Sequence, residues 1–316
     1  MPKLQIQPFA DEHLDAAAGL LAERHEAHRR AEPRLPAEVD FRAEVGSLFE
    51  TGASGAVAVR NGDVVGYLLG THRENPVWGP NVWVELAGHA AREAEIVRDL
   101  YAGAAGDWVE RGWTRQYALV PATDRDLLDA WFRLSFGAQH ALGIREVPAE
   151  PAGAVSQVTV REAEERDLDA LVELAPLLGE HQGVTPVFGA TPRPSDEKIR
   201  ADVADDLASD RVANLVAEID GRIVANFVAC PLEVSDMHSG VARPRGASFL
   251  GFAITLPEAR GSGAGVALTD ACFAWARARG YEVMSTDWRE TNLLASRFWP
   301  ARGFRRTFQR LYRSIP

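Results

Sequence analysis

A short glycine-rich segment in the second half of the chain has the residue types of an anion-binding loop. It reads Pro257-Glu258-Ala259-Arg260-Gly261-Ser262-Gly263-Ala264-Gly265-Val266. The apolar run 248–256 before it predicts a buried strand, and the stripe Leu268, Ala271, Cys272 and Trp275 after it predicts a helix. Glycines at a helix start let backbone N–H groups approach an anion, and the helix dipole and Arg260 add favourable charge. The segment predicts either a phosphate or pyrophosphate site or a tight strand-to-helix turn without a ligand.

Other glycine motifs fit this segment poorly. A P-loop ends in Gly-Lys-Ser/Thr, whereas Gly265 is followed by Val266. A dinucleotide-binding fingerprint needs a small residue where Val266 stands, and it normally lies in a first βα unit. The nucleophile elbow of serine hydrolases requires Gly-x-Ser-x-Gly, a spacing that Gly261-Ser262-Gly263 lacks.

The loop resembles the acyl-CoA loop of the GNAT acetyltransferase superfamily, whose pattern is Arg/Gln-x-x-Gly-x-Gly/Ala. Arg260, Gly263 and Gly265 match that pattern, and Pro257 stands three residues before the arginine. The second family signature is an asparagine, a small residue three positions on, an aromatic pair and then Gly-Phe. It is matched in order by Asn292, Ala295, Phe298-Trp299 and Gly303-Phe304. The resemblance covers about Val158 to the end of the chain.

This resemblance implies an acetyl-CoA site and assigns residues to it. In the family, the strand before the loop splays from the next strand, and the pantetheine arm of CoA pairs with its backbone in the gap. The arm would lie along Phe252, Ala253, Ile254 and Thr255, and the pyrophosphate would lie on the loop amides. The remaining cofactor-binding residues would be Arg260, Gly261, Ser262, Gly263, Ala264, Gly265, Asn292 and Trp299.

Acyl transfer to an amine also needs proton transfer, because a free amine has a pKa near 10 and arrives protonated. Asp287 lies five residues before Asn292, where some family members carry an acidic base; alternatively it caps a turn or pairs with Arg289. Many relatives place a tyrosine seven residues after the asparagine, but here that residue is Trp299, whose indole cannot act as a proton-transfer acid. Either the thiolate leaves unassisted, or its proton comes from Tyr281, Tyr312 or water.

The elements that must position these residues occur twice along the chain. Each half contains a strand, a two-residue turn and a strand, around Asn61-Gly62 and Asp220-Gly221. Both turns suit tight hairpins, because both central positions need positive φ. The shared order of features predicts a duplication. We expect an α/β (α+β) protein with two tandem GNAT-like domains, 1–148 and 157–316, each a mixed central sheet flanked by helices.

The first half shares this layout but not the glycine-rich loop. Its corresponding stretch, His89 to Leu100, contains no glycine and carries Glu93, Glu95 and Asp99, whose charges would repel a pyrophosphate. We therefore expect a degenerate first copy that binds no CoA in this way. The linker to the second copy is expected at Val147 to Ser156, which is rich in Pro, Ala and Gly.

Composition limits the remaining possibilities. The 316 residues fit two domains of about 150 residues each. The net charge of −11 argues against a general nucleic-acid binder. No signal-like or membrane-spanning segment is evident, so we expect a cytoplasmic protein without a membrane partner. The two cysteines show no metal-ligand pairing and are expected to be buried thiols, with no metal site.

Several histidines invite functional interpretations. The run His25-Glu26-Ala27-His28 has the wrong spacing for a zinc helix and indicates a solvated helix face. His181 and His238 are expected in loops that could border the acceptor site.

Two functions remain open at this point. The first is an acetyl-CoA-dependent N-acetyltransferase that acts on a small-molecule or peptide amine by direct transfer in a ternary complex, with the first copy shaping the acceptor site. The alternative is a non-catalytic acyl-CoA-binding or regulatory protein, which the missing tyrosine favours. The sequence fixes neither the acceptor nor the oligomeric state.

Overall fold

The computed structural model describes residues 3–75, 79–150, 158–189, 192–234 and 240–316. Its strands are β1 (Gln5–Pro8), β2 (Ser54–Arg60), β3 (Asp63–Asn75), β4 (Gly79–Val84), β5 (His89–Ala91), β6 (Arg115–Pro121), β7 (Gly137–Glu146), β8 (Thr159–Glu162), β9 (Ala213–Ile219), β10 (Arg222–Pro231), β11 (Ala247–Thr255), β12 (Val283–Arg289) and β13 (Arg305–Ser314). Its helices are α1 (Leu14–Ala31), α2 (Phe41–Glu50), α3 (Ile96–Glu110), α4 (Arg125–Phe132), α5 (Leu168–Leu174), α6 (Leu177–Gly183), α7 (Asp196–Ala208), α8 (Ala264–Ala278) and α9 (Ala295–Ala301).

The chain forms two compact units, and each unit contains parts of both sequence halves. So far as the structure describes them, unit 1 holds residues 1–141, 239–245 and 306–316, and unit 2 holds 142–238 and 246–305. In unit 1, β13 pairs with β6. In unit 2, residues 142–146 of β7 lie beside β12. The predicted domains 1–148 and 157–316 stay a prediction about the sequence repeat. The compact units have other bounds, because β13 beyond Arg305 belongs to unit 1 and β7 from Leu142 onward belongs to unit 2. Most of the predicted linker lies outside the described residues.

Both units repeat the same strand order. Unit 1 runs β1-β2-β3-β4-β6-β13, with β5 also on β3, and unit 2 runs β8-β9-β10-β11-β12-β7. The first four strands of each unit pair with one another in antiparallel order. The next pair in each unit, β4 with β6 and β11 with β12, is parallel. A parallel pair needs a crossover connection, and α3 and α8 provide it. This arrangement confirms the predicted mixed sheets flanked by helices.

The two predicted hairpin turns are present. Asn61 and Gly62 have φ values of 56° and 88°, and Asp220 and Gly221 have φ values of 51° and 76°. They connect β2 to β3 and β9 to β10. Asparagine, aspartate and glycine tolerate this left-handed conformation better than other residues, which explains why these dipeptides set the registers.

The helix that leaves the glycine-rich loop buries the predicted stripe. Leu268, Cys272 and Trp275 of α8 are buried, and the helix packs against β9, β10 and β11. Gly280, with φ of 77°, follows its end. Because α8 is fixed along its length by this apolar face, its N-terminal turn has a defined position at the end of β11.

The prediction of a solvated face at His25 and His28 is wrong. Both side chains are buried in unit 1, because α1 packs that face against β3 and β5. His25 Nε2 lies 2.8 Å from the Pro36 carbonyl oxygen, and the His28 ring meets the edge of Phe308 at 4.8 Å. Desolvation lowers the pKa of His28 to about 3, so this imidazole is neutral at neutral pH.

Among the described residues, no helix is long and apolar enough to cross a membrane. The same residues contain no group of three or more His, Cys, Asp or Glu side chains that could hold a metal ion.

Candidate functional site

Two neighbouring parallel strands of unit 2 separate part-way along their length. The register pairs of β11 and β12 run from Ala247 with Val283 to Leu250 with Thr286. The Thr286 hydroxyl donates a 2.8 Å hydrogen bond to the Leu250 carbonyl oxygen at the last pair. Beyond it β11 continues to Thr255, paired to β10, and β12 continues to Arg289. The described register therefore ends in a fork.

A β-bulge on β11 lies at this fork. Val228 of β10 pairs with Phe252 and Ala229 pairs with Leu250, so Gly251 is the extra residue. A bulge bends its strand and changes the direction of the following peptide groups. The segment from Phe252 to Thr255, predicted to hold the pantetheine arm, thus begins where β11 turns away from β12.

The glycine-rich loop connects the diverging strand to α8. Gly261 and Gly263 have φ values of 86° and 91°, a region that strongly favours glycine. Gly263 is the N-cap of α8, and the Ala264 amide donates to Ser262 Oγ at 3.3 Å. Arg260, Gly261 and Ser262 are exposed. The first amides of a helix have no partner within the helix and carry its positive dipole end, so the loop has the properties of an anion site.

Asn292 is buried and caps the helix after β12. Its Oδ1 accepts hydrogen bonds from the amides of Leu294 and Ala295 at 3.1 and 3.3 Å. These bonds give Asn292 a structural role at the start of α9. An amide side chain is planar, so fixing Oδ1 on α9 directs Nδ2 away from that helix. A contact of Nδ2 with CoA stays a prediction.

Trp299 belongs to an aromatic cluster. It is buried, and its ring lies 4.9 Å from Phe298, 5.5 Å from Phe304 and 6.0 Å from Phe227. A Cβ added at Gly265 would lie 3.4 Å from the Phe298 ring. The cluster thereby holds α9 against the first turn of α8, which brings the two signature motifs together. Whether the indole contacts CoA stays a prediction.

Asp287 follows directly after Thr286, the last residue of β12 in the described register with β11. It is half-buried at the point where that register ends. Arg289, the alternative partner of Asp287, lies on the same strand face and donates from Nε to Gln182 Oε1 at 3.0 Å. The role of Asp287 as base stays a prediction.

The two tyrosine candidates for a proton donor lie in different units. Tyr281 precedes the other end of β12, about 20 Å along the strand from Asp287, and stacks on Trp275 at 5.7 Å. Tyr312 belongs to unit 1, where its ring lies 5.0 Å from that of Tyr117.

Sequence reasoning missed the segment that borders the end of β12. His181 lies on the short helix α6 and not in a loop as predicted. Its Nε2 lies 3.4 Å from Asn292 Oδ1. The neighbouring Gln182 accepts from Arg289. No local pattern marks this pairing, since it joins residues more than 100 positions apart. His238 lies outside the described residues.

Unit 1 contains an equivalent fork that its own side chains close. The parallel pairs of β4 and β6 end at Val84 with Ala118. The next carbonyl of β6, that of Leu119, lies 3.0 Å from His89 Nε2. His89 is fully buried, and desolvation lowers its pKa to about 3. A neutral imidazole thus contacts β6 at the point of unit 1 that corresponds to the fork of unit 2.

The carbonyl groups that follow β4 are also bonded within unit 1. Arg24 donates to the carbonyl oxygens of Leu86 and His89, and Tyr67 Oη donates to that of Ala87 at 2.7 Å. The Gly88 carbonyl accepts from the amide of Leu69 at 2.6 Å. The backbone of this segment therefore forms hydrogen bonds inside the unit, where β11 of unit 2 continues as a strand.

Comparison with known proteins relates part of the chain to one family. The family model "Acetyltransferase (GNAT) family" matches residues 183–304. Among curated proteins, none matches this sequence.

Solved structures share the fold of the chain. A GCN5-related N-acetyltransferase from Sphaerobacter thermophilus has 14% identity and a TM-score of 0.61, over 98% of this chain and 95% of that one. A tandem GNAT protein from the clavulanic acid biosynthesis pathway has 19% identity and a TM-score of 0.52, over 99% of both chains. A GCN5-related glucosamine N-acetyltransferase region of a fungal multi-domain GH3 β-N-acetylglucosaminidase has 13% identity and a TM-score of 0.57, over 99% of this chain and 38% of that one.

Residues 183–304 thus match the model of the GNAT acetyltransferase family, and they include the forked strands, the loop at the start of α8 and Asn292. The whole chain shares the fold of a GCN5-related N-acetyltransferase and of a tandem GNAT protein. The motifs that carry the resemblance inferred from the sequence, Arg260, Gly263, Gly265 and the asparagine signature, lie within the matched residues.

Proposed function

We propose that the protein is an acetyl-CoA-dependent N-acetyltransferase that transfers the acetyl group directly to a small-molecule or peptide amine in a ternary complex, at the fork of unit 2. The observation that carries the proposal is the end of β11–β12 pairing at Leu250 and Thr286, next to a bulge and a left-handed glycine loop. A strand edge and a row of helix amides suit an amide-bearing arm and a pyrophosphate, respectively. Acetyl-CoA supplies the activated acyl group.

Asp287 receives the proton of the amine in this proposal. The residue follows the last β11–β12 pair, and its carboxylate would accept the proton directly or through one water molecule. The amine nitrogen then forms a bond to the acetyl carbon, and the bond from that carbon to sulfur breaks. Backbone amides of β11 beyond Gly251 are suited to stabilise the developing oxyanion. As the amide forms, the nitrogen loses its second proton, and water relays that proton to the departing thiolate, because Trp299 offers no titratable group.

Direct transfer is favoured because neither cysteine suits a covalent acyl-enzyme. Desolvation raises the pKa of Cys230 to about 11, and it also raises the pKa of the fully buried Cys272. The thiolate is the nucleophile, and its population is small at neutral pH when the pKa is raised. The acetyl group would therefore pass to the amine in one step.

Unit 1 would bind no acetyl-CoA. Its closed fork supports this proposal better than the acidic side chains of residues 89–100 do. Glu93 is paired with Arg60 at 2.5 Å, and Glu95 with Arg133 at 2.8 Å, which reduces the repulsion expected from the sequence. The imidazole of His89, which lies 3.0 Å from the Leu119 carbonyl oxygen of β6, would exclude an arm from between the strands.

Two-substrate kinetics test this proposal. With acetyl-CoA and a panel of primary amines, mass spectrometry should detect N-acetylated product, and double-reciprocal plots of initial velocity should intersect. Asp287→Asn should lower kcat by about 100-fold or more and leave the Kd for acetyl-CoA within about threefold, since a general base contributes in this range. Parallel lines would point to an acyl-enzyme, and tight acetyl-CoA binding without any product would favour a binding or regulatory protein.

A further inference from the structure

Exposed large apolar side chains are concentrated beside the fork of unit 2. Six such residues occur among the described residues, and four of them lie in two short segments: Val184, Phe188, Leu293 and Leu294. We call these four residues the apolar rim. Single exposed apolar residues are ordinary, but a group of them borders a binding site more often than it borders bulk water.

The two segments of the apolar rim are held together by polar contacts. His181 Nε2 lies 3.4 Å from Asn292 Oδ1, and Arg289 donates to Gln182 at 3.0 Å. Val184 is two residues from Gln182, and Leu293 is adjacent to Asn292. Consecutive Cα atoms are 3.8 Å apart. The Cα atoms of Val184 and Leu293 therefore lie within about 8 Å of the Cα atoms of Gln182 and Asn292, respectively, which make the polar contacts.

Phe188 is presented outwards by a hydrogen-bonded loop. Its φ is 48°, an unusual value for an aromatic residue, and 72% of its surface is exposed. Its amide and that of Val187 both donate to the Val184 carbonyl oxygen at 3.0 Å, and the amide of Gly189 donates to that of Gln182 at 2.7 Å. A Cβ added at Gly189 would lie 3.2 Å from Arg289 Cζ, so the loop is fixed against the end of β12. Backbone strain of this kind concentrates at binding sites.

The apolar rim lies close in sequence to Asp287, the proposed base, and it would therefore contact the acceptor. Asn292 and Arg289 follow Asp287 by five and two residues, so the rim borders the end of the strand that carries the proposed base. An amine whose nitrogen reaches Asp287 would place its body across these side chains. A body rich in hydroxyl or ammonium groups would lose water there without gaining partners.

The geometry points to a primary monoamine on an alkyl or aromatic body as the acceptor class, bound by the apolar rim. This inference rests on the proposed N-acetyltransferase function. The negative overall charge of −11 and the Asp287 carboxylate favour the protonated amine end, and the rim favours the apolar end.

Matched amines test the inference. Hexylamine and 5-aminopentan-1-ol differ only in a terminal methyl against a hydroxyl, so their amines are nearly alike. At saturating acetyl-CoA, the full-length protein should acetylate hexylamine with a kcat/KM about tenfold higher, which is the discrimination that one apolar group commonly gives. Equal kcat/KM values would overturn the inference while the proposed function stands. If no amine yields product, the proposed function fails and the inference fails with it.

A substitution in the apolar rim tests whether the rim causes the preference for hexylamine. Phe188→Asn keeps a residue that tolerates positive φ. It should lower kcat/KM for hexylamine more than for the amino alcohol, which reduces the preference to about threefold or less. The matched control is Phe132→Gln at an exposed aromatic residue of unit 1, which should keep the tenfold preference. An equal loss of kcat/KM for both amines would overturn the inference. A molecular mass of the variant in light scattering that is half that of the unmodified protein would also overturn it. The second result would make the rim an interface between copies of the chain.

Discussion

Replacing Asn292 in two ways separates its structural role from its proposed contact with CoA. Its Oδ1 accepts from two amides at the start of α9, and its side chain is buried. Asn292→Ala leaves these amides without that acceptor. Loss of a helix cap costs about 1 kcal/mol, and a buried position brings the expected loss in unfolding free energy to about 1–2 kcal/mol. Asn292→Asp keeps an acceptor and places a negative charge at a helix start, so it should change stability by less than about 0.5 kcal/mol.

The two variants should behave alike toward acetyl-CoA despite this difference in stability. Both lack the Nδ2 donor, and one hydrogen bond of about 0.5–1.5 kcal/mol corresponds to a roughly two- to twelvefold rise in Kd. The aspartate also brings a charge near an anionic ligand, so its Kd should rise at least as much as that of the alanine variant.

Urea denaturation and isothermal titration calorimetry provide the two measurements. Stability should fall for Asn292→Ala but not for Asn292→Asp, whereas affinity should fall for both. If Asn292→Asp binds acetyl-CoA as tightly as the unmodified protein, Asn292 is a helix cap only, and its assignment to the cofactor site is wrong.

Two further predictions follow from buried titratable groups. Burial lowers the pKa of His28 and of His89 to about 3, below the value near 6.5 in the unfolded chain. The unfolded state therefore binds more protons below pH 6.5, and acidification from pH 7 to pH 5 should remove about 2 kcal/mol of stability per histidine. His28→Leu should remove about half of that pH-dependent loss in urea denaturation, and an unchanged loss would show that His28 titrates normally. Separately, the double variant Cys230→Ser and Cys272→Ala should keep kcat within about twofold if it stays folded by circular dichroism; a loss above about 100-fold in a folded variant would indicate a cysteine nucleophile.

Local patterns were sufficient to predict much of the fold. The dipeptides at 61–62 and 220–221 determine their turns through backbone sterics alone, and the stripe on α8 follows from helical periodicity. The loop at Gly261 and Gly263 was recognisable because positive φ excludes most other residues. Such features depend on residues close together in the sequence.

The rest depends on contacts between distant residues. The last strand of each unit comes from the other half of the sequence: β13 lies in unit 1, and β7 from Leu142 onward lies in unit 2. The alternation of side chains along a strand is the same with either neighbour, so no local pattern reveals this arrangement. His25 and His28 look polar in the sequence, yet α1 turns them inwards. The closed fork of unit 1 needs Arg24, Tyr67 and His89 together, and the contact of His181 with Asn292 joins two segments 111 residues apart.

Titration of acetyl-CoA into two glutamate variants of α8 tests the central claim most directly. Gly263 at the start of the helix and Gly280 at its end have similar positive φ values, 91° and 77°, so a glutamate strains the backbone comparably at either end. The unmodified protein should bind one acetyl-CoA per chain. Gly263→Glu should abolish binding, because it places a carboxylate where the pyrophosphate is expected, and Gly280→Glu should bind as the unmodified protein does. Two sites per chain, or unchanged affinity in Gly263→Glu, would contradict a single acyl-CoA site at the fork of unit 2.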